Sequence, residues 1–206
     1  MDRVVHVVDD DTAVRRSLAM LLRSSGHQVE TYGSAEALLE AAETARLAHG
    51  CIVLDVRMPG MDGLSLMEVL SRRDIHLPVV VVTGHGDIPL AVRAMRAGAL
   101  DFVEKPYAEE RILEAVGSAL ASSREADRQR LLAVQAQAKV SALSPREREV
   151  LAALVEGKAN KVIGFELGIS PRTVEVHRAN LMEKLGVRSL PEAVRIGLAS
   201  GVRGPG

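Results

Sequence analysis

An acidic run, Asp9, Asp10 and Asp11, closes the apolar stretch Val4 to Val8, and a lone acid, Asp55, closes the apolar stretch Cys51 to Leu54. Both groups stand where a short buried strand would end. In an open parallel α/β sheet, ligands bind outside the carboxyl ends of the strands, so acids placed this way converge on one site. Converged carboxylates repel one another unless a cation joins them. Oxygen-only donors favour a hard ion, and a few carboxylates with water and phosphate suit Mg²⁺ better than a caged Ca²⁺. Two further strand ends carry matching groups: Thr83 follows Val79 to Val82, and Lys105 follows Phe102 and Val103. A carboxylate that attacks phosphorus becomes an acyl phosphate, whose added charge must meet a metal, an ammonium and a hydroxyl donor. Asp55, Mg²⁺, Lys105 and Thr83 fill those roles.

These groups need a scaffold that brings strand ends together. Through roughly the first 120 residues, short apolar runs alternate with amphipathic stretches, the pattern of repeated β-α units with right-handed crossovers. Strands are expected near 4–8, 28–32, 51–54, 79–83 and 100–103, and helices near 12–25, 35–44, 63–72, 87–97 and 108–121. Ile52 to Leu54 and Val79 to Val82 lack polar alternation, as parallel strands covered on both faces do. Residues 122–142 contain neither Gly nor Pro, but Ser122 to Arg130 offers almost no apolar stripe. That stretch fits either a continuation of the fifth helix or a break in it.

From 143 onward the pattern is purely helical. Ser144 before Pro145, with Glu147 three residues on, spells a capping box with proline at the first helical position. Asn160 to Leu167 is a short second helix. Ser170 and Pro171 open a third carrying Val174, Leu181 and Leu185 at core spacing, and Leu190 to Leu198 forms a fourth. Four short helices with a Gly-Ile-Ser-Pro turn fit helix-turn-helix geometry. The tail GVRGPG is expected to be disordered.

Composition narrows the class. A length of 206 residues and 47% hydrophobic content support packed cores. The net charge is −1, but residues 1–122 carry 12 basic and 18 acidic side chains, whereas 143–206 carry 10 and 7. An acidic front joined to a basic back points the second half toward nucleic acid. Cys51 is the sole cysteine and lies in an apolar run, which reads as a small buried hydrophobe. No signal peptide or membrane span is legible, so the cytoplasm is the expected location. A phosphatase of the haloacid-dehalogenase type also uses an aspartate nucleophile and needs a second acid two residues later; Asp9 and Asp11 have that spacing, but Arg57 stands at that distance from Asp55 and no substrate-capping insertion is legible.

The order VVDDD, LDVRMPGMDG, VVVTGHGD and DFVEKP resembles response-regulator receiver domains across residues 3–121. LSPREREVL, NKVIGFELGIS and ISPRTVEVHRANLMEKLGV resemble the LuxR/NarL-type helix-turn-helix across 143–199. With TGHGDIPLAVRAMRAGALDFVEKP, the likeness sharpens to response regulators of the FixJ type. The resemblance implies a flavodoxin-like α/β receiver at 1–121, with parallel strand order 2-1-3-4-5. It implies a linker at 122–142 and an all-α DNA-binding domain at 143–206.

In the first half the resemblance implies Asp55 as phosphoacceptor, Asp10 as direct metal ligand with Asp9 its acidic neighbour, and the Arg57 backbone carbonyl as third protein ligand. It implies Thr83 as switch hydroxyl, Phe102 as aromatic switch, Lys105 as phosphate contact, and a cis Lys105-Pro106 peptide. Asp11 reads instead as a helix-start charge favoured by the dipole. In the second half it implies Glu175, Val176 and Ala179 facing bases, and Asn160, Lys161, Arg172, Thr173, His177 and Lys184 near phosphates. Ser170 and Arg178 stand beside them as candidates. The implied partners are a FixL-like histidine kinase, an operator in double-stranded DNA, RNA polymerase, and a second copy of the chain after phosphorylation. No membrane partner and no enzymatic turnover are expected.

Overall fold

The computed structural model describes residues 3–43, 47, 49–84 and 88–203. Its chain divides into two compact units, residues 1–126 and 127–206.

The first unit is a five-stranded parallel sheet flanked by helices. Its elements are β1 (Val4–Val8), α1 (Thr12–Ser24), β2 (Gln28–Tyr32), α2 (Ala35–Glu43), β3 (Gly50–Asp55), α3 (Gly63–Arg72), β4 (Val79–Thr83), α4 (Ile88–Arg96), β5 (Asp101–Glu104) and the opening of α5 (Glu109–Ser141). The sheet runs β2-β1-β3-β4-β5. Side chains alternate across a strand, so each uninterrupted apolar run serves two cores. Ile52, Leu54, Val79 and Val81 pack with Leu38 and Leu66 on one face. Cys51, Val53, Val80 and Val82 pack with Leu22, Ile112 and Val116 on the other. Cys51 is fully buried, and burial pushes its thiol up to about 12, which leaves it protonated and inert.

The strand and helix positions expected from periodicity are those observed, within a residue or two. Position 44, the expected helix start at 87 and tail residues 204–206 lie outside the described residues. α5 resolves the open question between continuation and break. It is continuous for 33 residues; the helix-compatible types of Ser122 to Lys139, without Gly or Pro, permit this, and packing selects it. It has side-chain anchors in each unit: Ser123, buried, accepts from Arg3 Nη1 at 2.8 Å, and Ala136 and Val140 are buried near its end.

The second unit continues with α6 (Pro145–Val155), α7 (Asn160–Leu167), α8 (Pro171–Leu185) and α9 (Leu190–Ser200). Val150, Leu151, Ile163, Val174, Leu181 and Leu185 form its core. The capping box at Ser144 is complete: Ser144 Oγ accepts from the Glu147 N–H, and Glu147 Oε2 accepts from the Ser144 N–H at 2.8 Å. Part of the tail differs from expectation. Gly201, at φ 68°, caps α9, and Val202 packs against the core, so an apolar contact after a left-handed cap orders residues 201–203. Among the described residues, no helix is long and apolar enough to cross a membrane.

Candidate phosphoryl-transfer pocket and nucleic-acid interface

Parallel register sets the pocket. Val8 pairs with Leu54, so Asp9 and Asp55 emerge side by side from the two central strands. Asp55 pairs with Val82 and Thr83 with Glu104, which brings Thr83 and Lys105 to the same edge. The Lys105 N–H donates to the Thr83 carbonyl at 2.8 Å, and the Lys105-Pro106 peptide is cis. Lys105 Nζ reaches back over the sheet, 2.7 Å from Asp9 Oδ2 and 3.2 Å from Asp55 Oδ1. Asp9, Asp55 and Thr83 are all buried, so this ammonium works where water screens it least.

Charge in the pocket is unbalanced. Burial holds Asp55 above the usual carboxylate range; the neighbouring Asp9 and Asp10 push the same way, and Lys105 pulls against them. Burial would lower Lys105, but its hydrogen bonds to Asp9 and Asp55 and their charges outweigh that and raise it. Three carboxyl groups against one ammonium is a donor set that a divalent ion would relieve. Among the described residues, no group of three His, Cys, Asp or Glu side chains forms a cage for an ion. Mg²⁺ does not require one, since it keeps several waters and takes one or two carboxylates. Asp10 and Arg57 line one side of a cleft of about 650 Å³ that Met58, Leu64, Leu90 and Arg93 continue.

The residues around the pocket have separate tasks. Asp11 is the N-cap of α1, its carboxylate accepting from Ala13 and Val14, as a helix-start acid should. The Val56 carbonyl accepts from the Gly63 N–H at 2.9 Å, which ties the start of α3 to the end of β3. Phe102 is half-buried and packs against the core beside α4. Asp101 fixes its backbone: Oδ1 accepts from the Phe102 N–H at 2.8 Å, while Arg111 grips the same carboxylate. Sequence reasoning passed over Asp101, Arg111 and Arg15. Arg15 carried one signal, a cation near the opening of a helix, where the dipole disfavours it.

In the second unit, α8 buries Val174, Leu181 and Leu185 and turns Arg172, Glu175, Val176, Ala179 and Asn180 outward. Glu175 and Ala179 lie one turn apart, with Val176 beside Glu175, on the exposed side of α8. Ser170 is engaged as N-cap, accepting from the Thr173 N–H at 3.1 Å. His177 and Thr173 are half-buried, and Lys161 is exposed on α7. Two of the residues expected near phosphates hold protein partners. Asn160 Oδ1 accepts from Arg178 Nη1 at 2.8 Å, and Lys184 Nζ donates to the buried Glu147 at 2.8 Å.

A receiver pocket followed by a helix-turn-helix defines a DNA-binding response regulator. The family model described as "Response regulator receiver domain" matches residues 5–117, and "Bacterial regulatory proteins, luxR family" matches 141–196. The chain belongs to the two-component response regulators of the FixJ type. It is 54% identical to "Transcriptional regulatory protein FixJ" of Azorhizobium caulinodans over 198 residues, 96% of this chain and 93% of that one. Among solved structures it is similar to the response regulator StyR, with TM-score 0.76 and 44% identity over 95% of this chain and 98% of that one. It is similar also to full-length FixJ from B. japonicum, with TM-score 0.59 and 44% identity over 97% of each chain.

Proposed function

We propose that Asp55 is the group modified, by phosphoryl transfer from a FixL-like histidine kinase, and that the chain is a phosphorylation-dependent transcriptional activator. The observation that carries this reading is the Lys105 ammonium bridging Asp9 and Asp55 at the carboxyl end of the sheet. In this reading an Asp55 oxygen attacks the phosphorus as the phosphorus–nitrogen bond to the kinase histidine breaks and the imidazole leaves; Lys105 and Thr83 would hold the phosphoryl oxygens, and Asp10, Asp55 and the Arg57 carbonyl, with Asp9 nearby, would hold a Mg²⁺ that supplies charge neutralisation there. Drawing Thr83 toward the new charge opens space that Phe102 fills, which shifts a pre-existing equilibrium of α4 and β5.

The receiver occupies 1–121, a linker 122–142 and the DNA-binding domain 143–206. Phosphorylated receivers pair, and two DNA-binding domains then read a two-fold related operator and engage RNA polymerase. Glu175, Val176 and Ala179 face bases; Ser170, Arg172, Thr173, His177, Lys161 and the Asn160–Arg178 pair lie along the backbone, with Lys184 at its margin.

Treatment with a small phosphodonor and Mg²⁺, followed by mapping of the modified residue, oligomeric mass and gel shifts on selected DNA, tests all three steps. One phosphate on Asp55, a doubled mass and tighter binding are expected, and Asp55→Asn should abolish them. Equal affinity and monomeric mass with and without phosphorylation would sink the coupling, and sustained turnover of a phosphomonoester would make the protein an enzyme.

A further inference from the structure

The turn that carries Asp9 and Asp10 is gripped from behind. Arg15 Nη1 donates to the Asp9 carbonyl at 2.5 Å and to the Asp10 carbonyl at 3.3 Å, and Nη2 donates to Thr12 Oγ1 at 3.2 Å. The Arg15 N–H meets the Asp11 carbonyl at 2.9 Å, so backbone and side chain together touch each of residues 9–12. Gly33, just after β2, lies against the guanidinium; a Cβ there would stand 3.7 Å from it.

Charge alone argues against this placement. The opening of α1 is the positive end of its dipole, and a cation beside a metal pocket repels the metal. Geometry argues for it. A carboxylate leaves the backbone in a direction set by its own peptide planes, and Arg15 holds the carbonyls of both consecutive aspartates. Asp9 is further fixed through its carboxylate, with Oδ1 accepting from the Asp11 N–H at 2.9 Å and Oδ2 from Lys105. Asp10 is exposed, and Arg15 holds it through the backbone.

We propose that Arg15 is a positioning residue for the divalent ion, orienting the Asp9-Asp10 turn so that both carboxyl groups face one cation. The inference rests on the proposed reading of Asp10 as a metal ligand.

The two influences of Arg15 have opposite signs, which makes the test decisive. Mn²⁺, titrated into the full-length chain and followed by the loss of its free electron-paramagnetic-resonance signal, reports affinity without any phosphorylation. Arg15→Ala should weaken Mn²⁺ binding about tenfold, the usual scale for a residue that orients a ligand. Arg15→Lys, which keeps the charge but cannot span both carbonyls, should also bind more weakly than wild type. Affinity that rises or stays level in Arg15→Ala overturns the inference, as does a lowered melting temperature with unchanged affinity. Should Arg15→Ala fail to fold, Arg15→Lys decides, because it keeps the charge and changes only the grip: weaker binding than wild type supports positioning, and unchanged or tighter binding refutes it. Asp10→Ala separates the failures. If it leaves Mn²⁺ binding intact, the site reading falls and this inference with it; if it abolishes binding while Arg15→Ala does not, only this inference falls.

Discussion

The guanidinium of Arg111 holds Asp101 through two parallel hydrogen bonds, 2.9 Å to Oδ2 and 2.8 Å to Oδ1. The same Oδ1 takes the Phe102 N–H, so α5 clamps the backbone of β5 next to Phe102. Asp101→Ala removes both bonds and leaves the Phe102 N–H without this acceptor. The side chains are partly exposed, which limits the loss to about 1 kcal/mol. Both tyrosines, Tyr32 and Tyr107, lie in the first unit. Tyrosine fluorescence during urea unfolding therefore reads that unit alone, and an unchanged midpoint would show the clamp to be idle.

Gly63 fits where no larger residue does. A Cβ there would stand 2.5 Å from the Asp55 carbonyl oxygen and 3.0 Å from Val56 Cα, both rigid backbone. Gly63→Ala should cost about 1–3 kcal/mol and slow phosphorylation of Asp55 by displacing its strand end. Gly117, in α5, has open space around it, and Gly117→Ala should stabilise by about 0.5–1 kcal/mol. Similar shifts for the two variants would contradict the packing argument.

His6 makes the first unit acid-sensitive. It is fully buried and its Nδ1 lies 3.1 Å from Tyr32 Oη; Tyr32 donates to Glu30 Oε2 at 2.7 Å, so Nδ1–H is the donor to Tyr32. Nε2 has no partner among the described residues. Burial lowers the imidazole from 6.5 to about 4 against the pull of Glu30. The unfolded chain thus binds a proton that the folded one refuses. Stability should be complete above about pH 6.5 and decline as pH falls toward 4, by about 3 kcal/mol in all. Comparison of tyrosine-monitored unfolding at pH 7.5 and 4.5 for wild type and His6→Leu checks this; the variant should lose less by about that amount.

Lys184 should matter to the fold of the second unit as well as to DNA. Burial would raise Glu147, but hydrogen bonds from Lys184 and Ser144 hold it below the usual range. Lys184→Met leaves that buried carboxylate with only its capping partners, at a cost of about 1–2 kcal/mol given the exposure of the lysine. Adding Glu147→Gln should recover part of the loss. Because Glu147 is depressed, its contribution is present above its unfolded value and lost as pH falls through the folded one. Calorimetric melting of the full chain at neutral pH, with the second unit's transition unmoved by Lys184→Met, would refute the role.

Much of this protein was legible in one dimension. Short apolar runs without alternation, at β-α spacing, fit parallel strands covered on both faces, so Val79 to Val82 and Ile52 to Leu54 pointed to the sheet. Asp55 and Thr83 at their ends, and Lys105 after the fifth strand, then fell at its carboxyl edge. Ser144, Pro145 and Glu147, and later Ser170 and Pro171, marked helix starts because local hydrogen bonding decides them.

Tertiary structure decided what depends on partners distant in the chain. Whether residues 122–142 continue α5 turned on packing, with Ser123, Ala136 and Val140 buried among side chains far away in sequence. The engagement of Lys184 by Glu147, of Arg178 by Asn160 and of the Asp9-Asp10 carbonyls by Arg15 followed the same rule. A flexible cation reads alike in sequence whether it faces water, phosphate or a buried acceptor. Only the folded arrangement of acceptors, through burial and distance, selects among them.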